Sequence, residues 1–385
     1  MPRTIYLIAC LVYGAALVGA AVAARSASAG RADLPRAGGA ADRLDVRRRG
    51  PLVGCAINLH HTEQLDQYLT AVDELVDEVG FTSIEVITPA YMTNGQSDDI
   101  RIVHGPGLCP DRDQLLALLR HARARGARTM LMPVVLLSDP GRGEWRGKIQ
   151  PQSWRRWWRS YERTMDYFLD IAKTAGVDIF CVGSELLSTE RQTDRWNRLI
   201  RHVRGRYKGL LTYSTNWDHY HVPAFWEKLD LIGMNGYWDL TKLSQNPQDP
   251  AFEDLTRRWI QIRRQVLAHA NKFKRPLLFT EVGYPSLPWG LKDPWNYVND
   301  KHAVSDPNTQ ARGYSVFLSA WDNLLNEPPA DERKVVRFAG VFFYRWDPYV
   351  SGGPNDTGYG IRGKTTIELI KSFLERRRRI RTRNP

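Results

Sequence analysis

Two glutamates, Glu185 and Glu281, sit where a carboxylate is costly. Glu185 closes the apolar stretch Cys181-Val182-Gly183-Ser184-Glu185-Leu186, and Glu281 lies in Leu277-Leu278-Phe279-Thr280-Glu281-Val282-Gly283-Tyr284. A carboxylate at the end of an apolar strand raises the free energy unless it is paired or functional. Two together suit glycoside cleavage: one protonates the leaving oxygen, and the other attacks the anomeric carbon or activates water. Side chains alternate along a strand, so parity indicates direction. Glu185 shares parity with Gly183, Cys181 and Ile179, and Glu281 with Phe279 and Leu277. Both sets suit a barrel interior, which predicts that both carboxylates point inward at a common mouth.

The elements that must hold this pair can be read from hydrophobic periodicity. Strands are expected at Leu52–Asn58, Ser83–Thr88, Thr129–Leu136, Asp178–Glu185, Leu210–Asn216, Leu229–Tyr237, Pro276–Glu281 and Gly340–Trp346. Helical patterns lie between them, at Gln64–Val79, Asp111–Arg125, Ser153–Ala175, Asp194–Tyr207, Phe252–Ala270 and Thr309–Leu325, with a last helix at Thr365–Arg376. The alternation predicts an α/β protein, a (β/α)₈ TIM barrel. Helix-to-strand links are short, as in Gly126-Ala127, whereas strand-to-helix links such as Ser138–Gln152 and Val282–Asn308 are long. Barrel active sites are built from the loops after the strands, so the asymmetry marks the functional end. A doubly wound sheet would carry a Gly-rich phosphate loop after its first strand; Asn58-Leu59-His60-His61 stands there instead.

Other candidates come from the same strand ends. Asn216 after the fifth strand can bind hydroxyls, and Trp217 beside it can stack on a sugar face. Asn58, His60 and His61 follow the first strand. Glu144, Trp145, Trp289 and Trp295 lie in long loops, as lining or as simple packing.

A glutamate ending strand four, followed by one ending strand seven in Thr280-Glu281-Val282-Gly283-Tyr284, resembles the clan A glycoside hydrolases. Within the clan, the chain is most similar to glycoside hydrolase family 113, whose characterised members include β-1,4-mannan-degrading enzymes. The resemblance spans roughly Leu52 to Phe373. It implies a retaining mechanism with Glu185 as acid/base and Glu281 as nucleophile, their carboxyl groups about 5–5.5 Å apart. It also implies that Tyr237, on the face of Asn235 and Gly233, hydrogen-bonds the nucleophile. Trp346 would floor the subsite of the cleaved sugar. Many clan members carry Asn before the acid/base; this chain has Ser184, a shorter group, which bears on sugar preference. The open alternatives are another clan A β-glycanase, a transglycosylase and a non-catalytic glycan-binding barrel.

Bulk properties bound the remainder. The 385 residues suit one barrel with long loops. The net charge of +12 invites a nucleic-acid partner, but much of the excess lies at the ends, in Arg43, Arg47, Arg48, Arg49 and the Arg376–Arg383 region. The basic-aromatic stretch Trp154–Arg159 has the spacing of an amphipathic helix on a barrel wall. A carbohydrate partner is therefore expected, with no nucleic acid, no cofactor, no metal site and a monomeric state. Arg3, the apolar run Ile5–Ala24 and Ser26-Ala27-Ser28-Ala29 suggest a signal peptide or an uncleaved membrane anchor over residues 1–29, hence a secreted, periplasmic or cell-envelope protein. Leu7-Ile8-Ala9-Cys10 also resembles a lipidation site. A flexible linker (30–50), the barrel (51–375) and a basic tail (376–385) complete the expected organisation. Cys55 and Cys181 fall in strands as small hydrophobes, and one disulfide among the cysteines remains open.

Overall fold

The computed structural model describes residues 50–297, 303–326, 338–349, 352–353 and 355–383. The expected signal or anchor, the lipidation motif and nearly all of the linker lie outside them. Eight parallel strands close in sequence order into a barrel. They are β1 (Leu52–Asn58), β2 (Ser83–Met92), β3 (Arg128–Leu137), β4 (Ile179–Ser184), β5 (Leu210–Thr215), β6 (Ile232–Asn235), β7 (Leu277–Val282) and β8 (Phe338–Trp346). The helices are α1 (Leu65–Asp73), α2 (Arg112–Ala124), α3 (Trp154–Ala175), α4 (Thr193–Arg206), α5 (Phe252–Phe273), α6 (Pro307–Asn326) and α7 (Thr365–Arg383). The β5–β6 link carries only a short 3₁₀ turn, Trp226–Lys228.

Local chemistry sets the helix bounds. Asp111 accepts from the Gln114 N–H while the Gln114 side chain accepts from the Asp111 N–H, a reciprocal cap that starts α2. Ser153 caps α3 in the simpler way. In α3 the residues Trp157, Trp158, Tyr161, Phe168 and Leu169 are buried, while Arg155, Arg156 and Arg159 are exposed. The basic-aromatic stretch is therefore an amphipathic helix on the barrel. The last helix continues to Arg383, through the segment expected to be a tail. Arg377 explains the extension: it is buried, donating to the carbonyls of Leu325 and Pro51.

Two apolar layers result. One joins the helices to outward residues such as Phe180, Val182, Leu277 and Phe279; the other fills the barrel with Leu52, Ala56, Met130, Met132, Ile179, Cys181, Leu278 and Phe342. Cys55, Cys109 and Cys181 are buried free thiols.

This layering corrects the simple parity argument. In β7, Leu277 and Phe279 face the helices, while Leu278 faces the barrel interior. The β6–β7 register passes from Met234↔Phe279 to Asn235↔Glu281, so Thr280 is an extra residue. In β4, Val182 and Gly183 together oppose one residue of β5. A Cβ on Gly183 would lie 2.7 Å from the Trp196 ring and 2.8 Å from the Tyr161 hydroxyl, so this position faces the helices. Both strands contain a bulge just before their glutamate. A bulge resets alternation, and in β7 that reset turns Glu281 inward; in β4, Ile179 and Cys181 lie inside as alternation expects, and only Gly183 departs from it.

Candidate active site

Glu185 lies just past β4 with φ +52°, a left-handed conformation disfavoured for residues with a Cβ. The neighbouring backbone holds it there. Its N–H donates to the Ser214 carbonyl, 2.9 Å away, and the Leu186 N–H donates to the Tyr213 hydroxyl at 3.0 Å. Tyr213 in turn donates to Glu190, 3.0 Å away. Glu190 is fully buried and also receives Thr215 Oγ1 at 3.1 Å and pairs with His219 Nδ1 at 2.9 Å. Burial pushes the Glu190 carboxyl up, partly opposed by His219 and Tyr213. A buried polar cluster with its groups satisfied is rigid, so it fixes the turn that aims Glu185.

One amide organises the centre of the site. The hydroxyls of Ser214 and Thr280 donate to Asn235 Oδ1 at 2.8 and 2.9 Å. That assigns the amide orientation, because the nitrogen must then be the group facing Glu185. Asn235 Nδ2 donates to Glu185 Oε1 at 2.7 Å. Glu185 Oε2 is ion-paired with Arg146, from the long loop after β3. On the other side of Asn235, Tyr237 donates its hydroxyl to Glu281 Oε2 at 2.6 Å. Burial and the Glu281 charge hold the Tyr237 hydroxyl well above its ordinary value, so it remains a donor.

Glu185 and Glu281 are each 7% exposed. Burial, then the Glu185 charge, push the Glu281 carboxyl up to about 7, against the opposing pull of Tyr237 and Arg146. Glu85 on β2 is a third interior carboxyl. It is fully buried, has no hydrogen-bond partner among the described residues, and is pushed well up by burial and by Glu281. Burial and the Glu281 charge thus both favour its neutral form.

The remaining sequence candidates separate. Asn58 Nδ2 donates to the Tyr344 hydroxyl at 2.9 Å. The Tyr344 ring is 5.4 Å from that of Tyr359, which is 5.9 Å from that of Tyr237. These three tyrosines form one wall, and Tyr344 feels the Glu281 charge. Trp346 is elsewhere: it is 4% exposed, grouped with the helix-side layer, with the Arg362 guanidinium 6.0 Å from its ring. Tyr344 is partly exposed, whereas Trp346 is buried. Trp217 is half-buried against Trp238, at 6.2 Å between ring centroids, and Asn216 is half-buried beside it. Ser184 Oγ is buried with no partner among the described residues.

His60 is held near 4 by burial and by Arg345, hence neutral. His61 pairs with Glu63. Glu144 accepts from the Gly95 and Gly141 N–H groups, and Trp289 donates to the Asn296 carbonyl, as loop-holding contacts. Arg146, Asn235, Tyr344 and Glu85 were not singled out from the sequence. Asn235 had a usable signal, a polar residue two before Tyr237 on the inward face of a buried strand. Arg146 had none, because one arginine in a long loop resembles any other.

A (β/α)₈ barrel whose mouth holds two buried glutamates, Glu185 bonded to Asn235 and Glu281 to Tyr237, is the arrangement of a glycoside hydrolase. The family model of glycoside hydrolase family 113 matches residues 60–325, and the chain belongs to that family. Among solved structures it is similar to the family 113 β-mannanase AaManA of Alicyclobacillus acidocaldarius, at 24% identity and TM-score 0.71, covering 87% of this chain and 99% of that one. A second family 113 β-1,4-mannanase structure matches at 21% identity and TM-score 0.71, covering 84% and 99%. A family 5 mannosidase of Rhizomucor miehei matches at 12% identity and TM-score 0.55, covering 86% and 94%. No curated protein sequence matches the chain.

Proposed function

We propose that the protein is a retaining β-glycosidase acting on a β-1,4-mannan-type polysaccharide or oligosaccharide. The observation that carries this reading is the pair itself, two buried glutamates aimed into one mouth, Glu185 bonded to Asn235 and Glu281 to Tyr237. Its relatives named as β-mannanases support the substrate class.

Glu281 attacks the anomeric carbon as Glu185 passes its proton to the departing glycosidic oxygen. The C–O bond to the leaving sugar breaks and a glycosyl ester of Glu281 forms. Glu185 then takes a proton from water, the water oxygen attacks the anomeric carbon, and Glu281 departs as carboxylate. Attack needs ionised Glu281. Tyr237 and Arg146 both favour that form against burial and Glu185. Arg146 occupies Oε2 of Glu185, so it must yield as the glycosidic oxygen approaches. The tyrosine wall and Trp217 supply faces for sugar rings, and Asn216, Asn58 and Ser184 supply polar contacts.

The test is a hydrolysis panel of mannan, glucomannan, xylan, β-glucan and galactan with wild type, Glu185→Gln and Glu281→Gln. Cleavage of mannan with initial release of the β-anomer, lost in both variants, is the expected result. Full activity in both variants would remove the mechanism, initial release of the α-anomer would exclude retention, and preference for another glycan would reassign the substrate.

A further inference from the structure

The pole opposite the carboxylates is built from arginines. The last turns of α7 and the Gly80-Phe81-Thr82 and Gly126-Ala127 links enclose a cavity of about 430 Å³, lined by Arg125, Arg377, Arg378 and Arg381. Arg125 is neutralised by Asp73 and Asp77. Arg377 has carbonyl partners, Leu325 and Pro51, and its guanidinium is pushed down to about 9 by burial and by nearby Arg381 and Arg128. Arg376, Arg378 and Arg379 lie on the exposed side of the same turns, Arg376 paired with Asp322 and Arg379 3.9 Å from Glu375.

The chain outside the described residues leaves from this pole. Arg128 donates to the Gly50 carbonyl at 3.1 Å, and Arg377 donates to Pro51. Forty-nine residues precede Gly50: the apolar run Ile5–Ala24, then a segment rich in Ala, Gly and Arg that includes Arg47, Arg48 and Arg49. The 25 residues from 25 to 49 can span at most about 90 Å when fully extended. A membrane-held apolar run would thus keep the arginine pole at high local concentration beside that membrane.

We propose that this arginine pole docks on an anionic phospholipid bilayer surface, with the apolar run anchored in the same bilayer and the Glu185–Glu281 mouth facing away. Guanidinium groups match phosphate oxygens in bidentate geometry. Each basic side chain at an anionic surface strengthens association about fivefold. Nothing in the proposal depends on which glycan is cleaved.

The full chain is reconstituted into phosphatidylcholine vesicles with and without 30 mol% phosphatidylglycerol, a probe level of roughly the charge density that draws polybasic segments. Trypsin cleavage after Arg376, Arg378 and Arg379 is followed by mass spectrometry. The expected result is cleavage slowed about tenfold or more by the anionic lipid, with protection lost as salt approaches about 1 M. Arg381→Gln should weaken protection at Arg378 and Arg379 about fivefold. Arg378→Gln, read at Arg376 and Arg379, tests the same point without touching a half-buried group. Thermal melting of each variant verifies its fold. Equal cleavage in the two vesicle types overturns the proposal. So does equal protection by soluble glycerophosphoglycerol, inorganic phosphate or a short DNA duplex, which would mark a general anion pocket.

Discussion

The β2–β3 wall and the β4–β7 wall of the barrel are made differently. β2 and β3 pair without interruption from Ser83↔Arg128 to Met92↔Leu137. Their interior side chains follow strict alternation, and the one carboxyl they contribute, Glu85, has no hydrogen-bond partner among the described residues and is pushed well up by burial. The other wall breaks register beside each catalytic candidate, between Cys181 and Ser184 and between Met234 and Asn235. There the carboxylates meet Arg146, Asn235 and Tyr237. Regular pairing buries side chains economically, whereas a bulge spends pairing to redirect a side chain. The candidate catalytic pair lies on the irregular side of the barrel.

Four measurements sharpen or break that contrast. Glu185→Gln and Glu281→Gln should each lower kcat on the glycan substrate by about 10³-fold or more, while Glu85→Gln changes it by less than about threefold. Steady-state kinetics decide, and a comparable loss in Glu85→Gln would erase the distinction between the walls.

Stability should respond to pH through Glu281. Its carboxyl titrates near 7 in the folded chain against an ordinary value of 4.5. The folded state therefore binds the proton more tightly, and the resulting stability is full below 4.5 and lost as pH rises through 7. Glu281→Gln is neutral throughout. It should match wild type at pH 4 and exceed it by about 3 kcal/mol at pH 8 in denaturant melts. No gain at pH 8 would contradict the upward push on Glu281 from burial and from Glu185.

Tyr213→Phe removes both the acceptor for Leu186 N–H and the donor to Glu190. About a tenfold fall in kcat with little change in KM is expected if this network aims Glu185. A loss of stability with kcat intact would assign it to the fold alone. The smallest effect concerns Arg146, which lowers the Glu281 carboxyl. Arg146→Gln should move the acid limb of kcat/KM upward by about one pH unit or less. Arg146→Lys should restore most of the profile, and an unmoved limb in Arg146→Gln would break the link.

Much of the architecture was legible. Apolar runs bounded by Gly turns located all eight strands, and β1 matches its expected bounds at Leu52–Asn58. Unequal loop lengths identified the functional end. Boundaries drifted where tertiary contacts extend or truncate an element: β6 contracts to Ile232–Asn235, and α7 lengthens because Arg377 finds two carbonyl partners. Inward-facing glutamates were expected from alternation; Ile179 and Cys181 lie inside as that argument needs, but Phe279 and Leu277 point outward and a bulge turns Glu281. Trp346 drew attention by its type, while Tyr344 holds the position beside the carboxylates.

By itself the sequence determined the alternation of strands and helices, the placement of Glu185 and Glu281 at strand ends, and the presence of Tyr237 two residues beyond Asn235. These follow from local rules, since hydrophobic period and turn chemistry act over a few residues. Only the tertiary structure decided the bulges, the amide orientation of Asn235, the Arg146 contact and the choice of Tyr344 over Trp346. Each depends on register against a neighbouring strand or on a loop reaching across the mouth. Those are contacts between residues distant in sequence, which local periodicity does not encode.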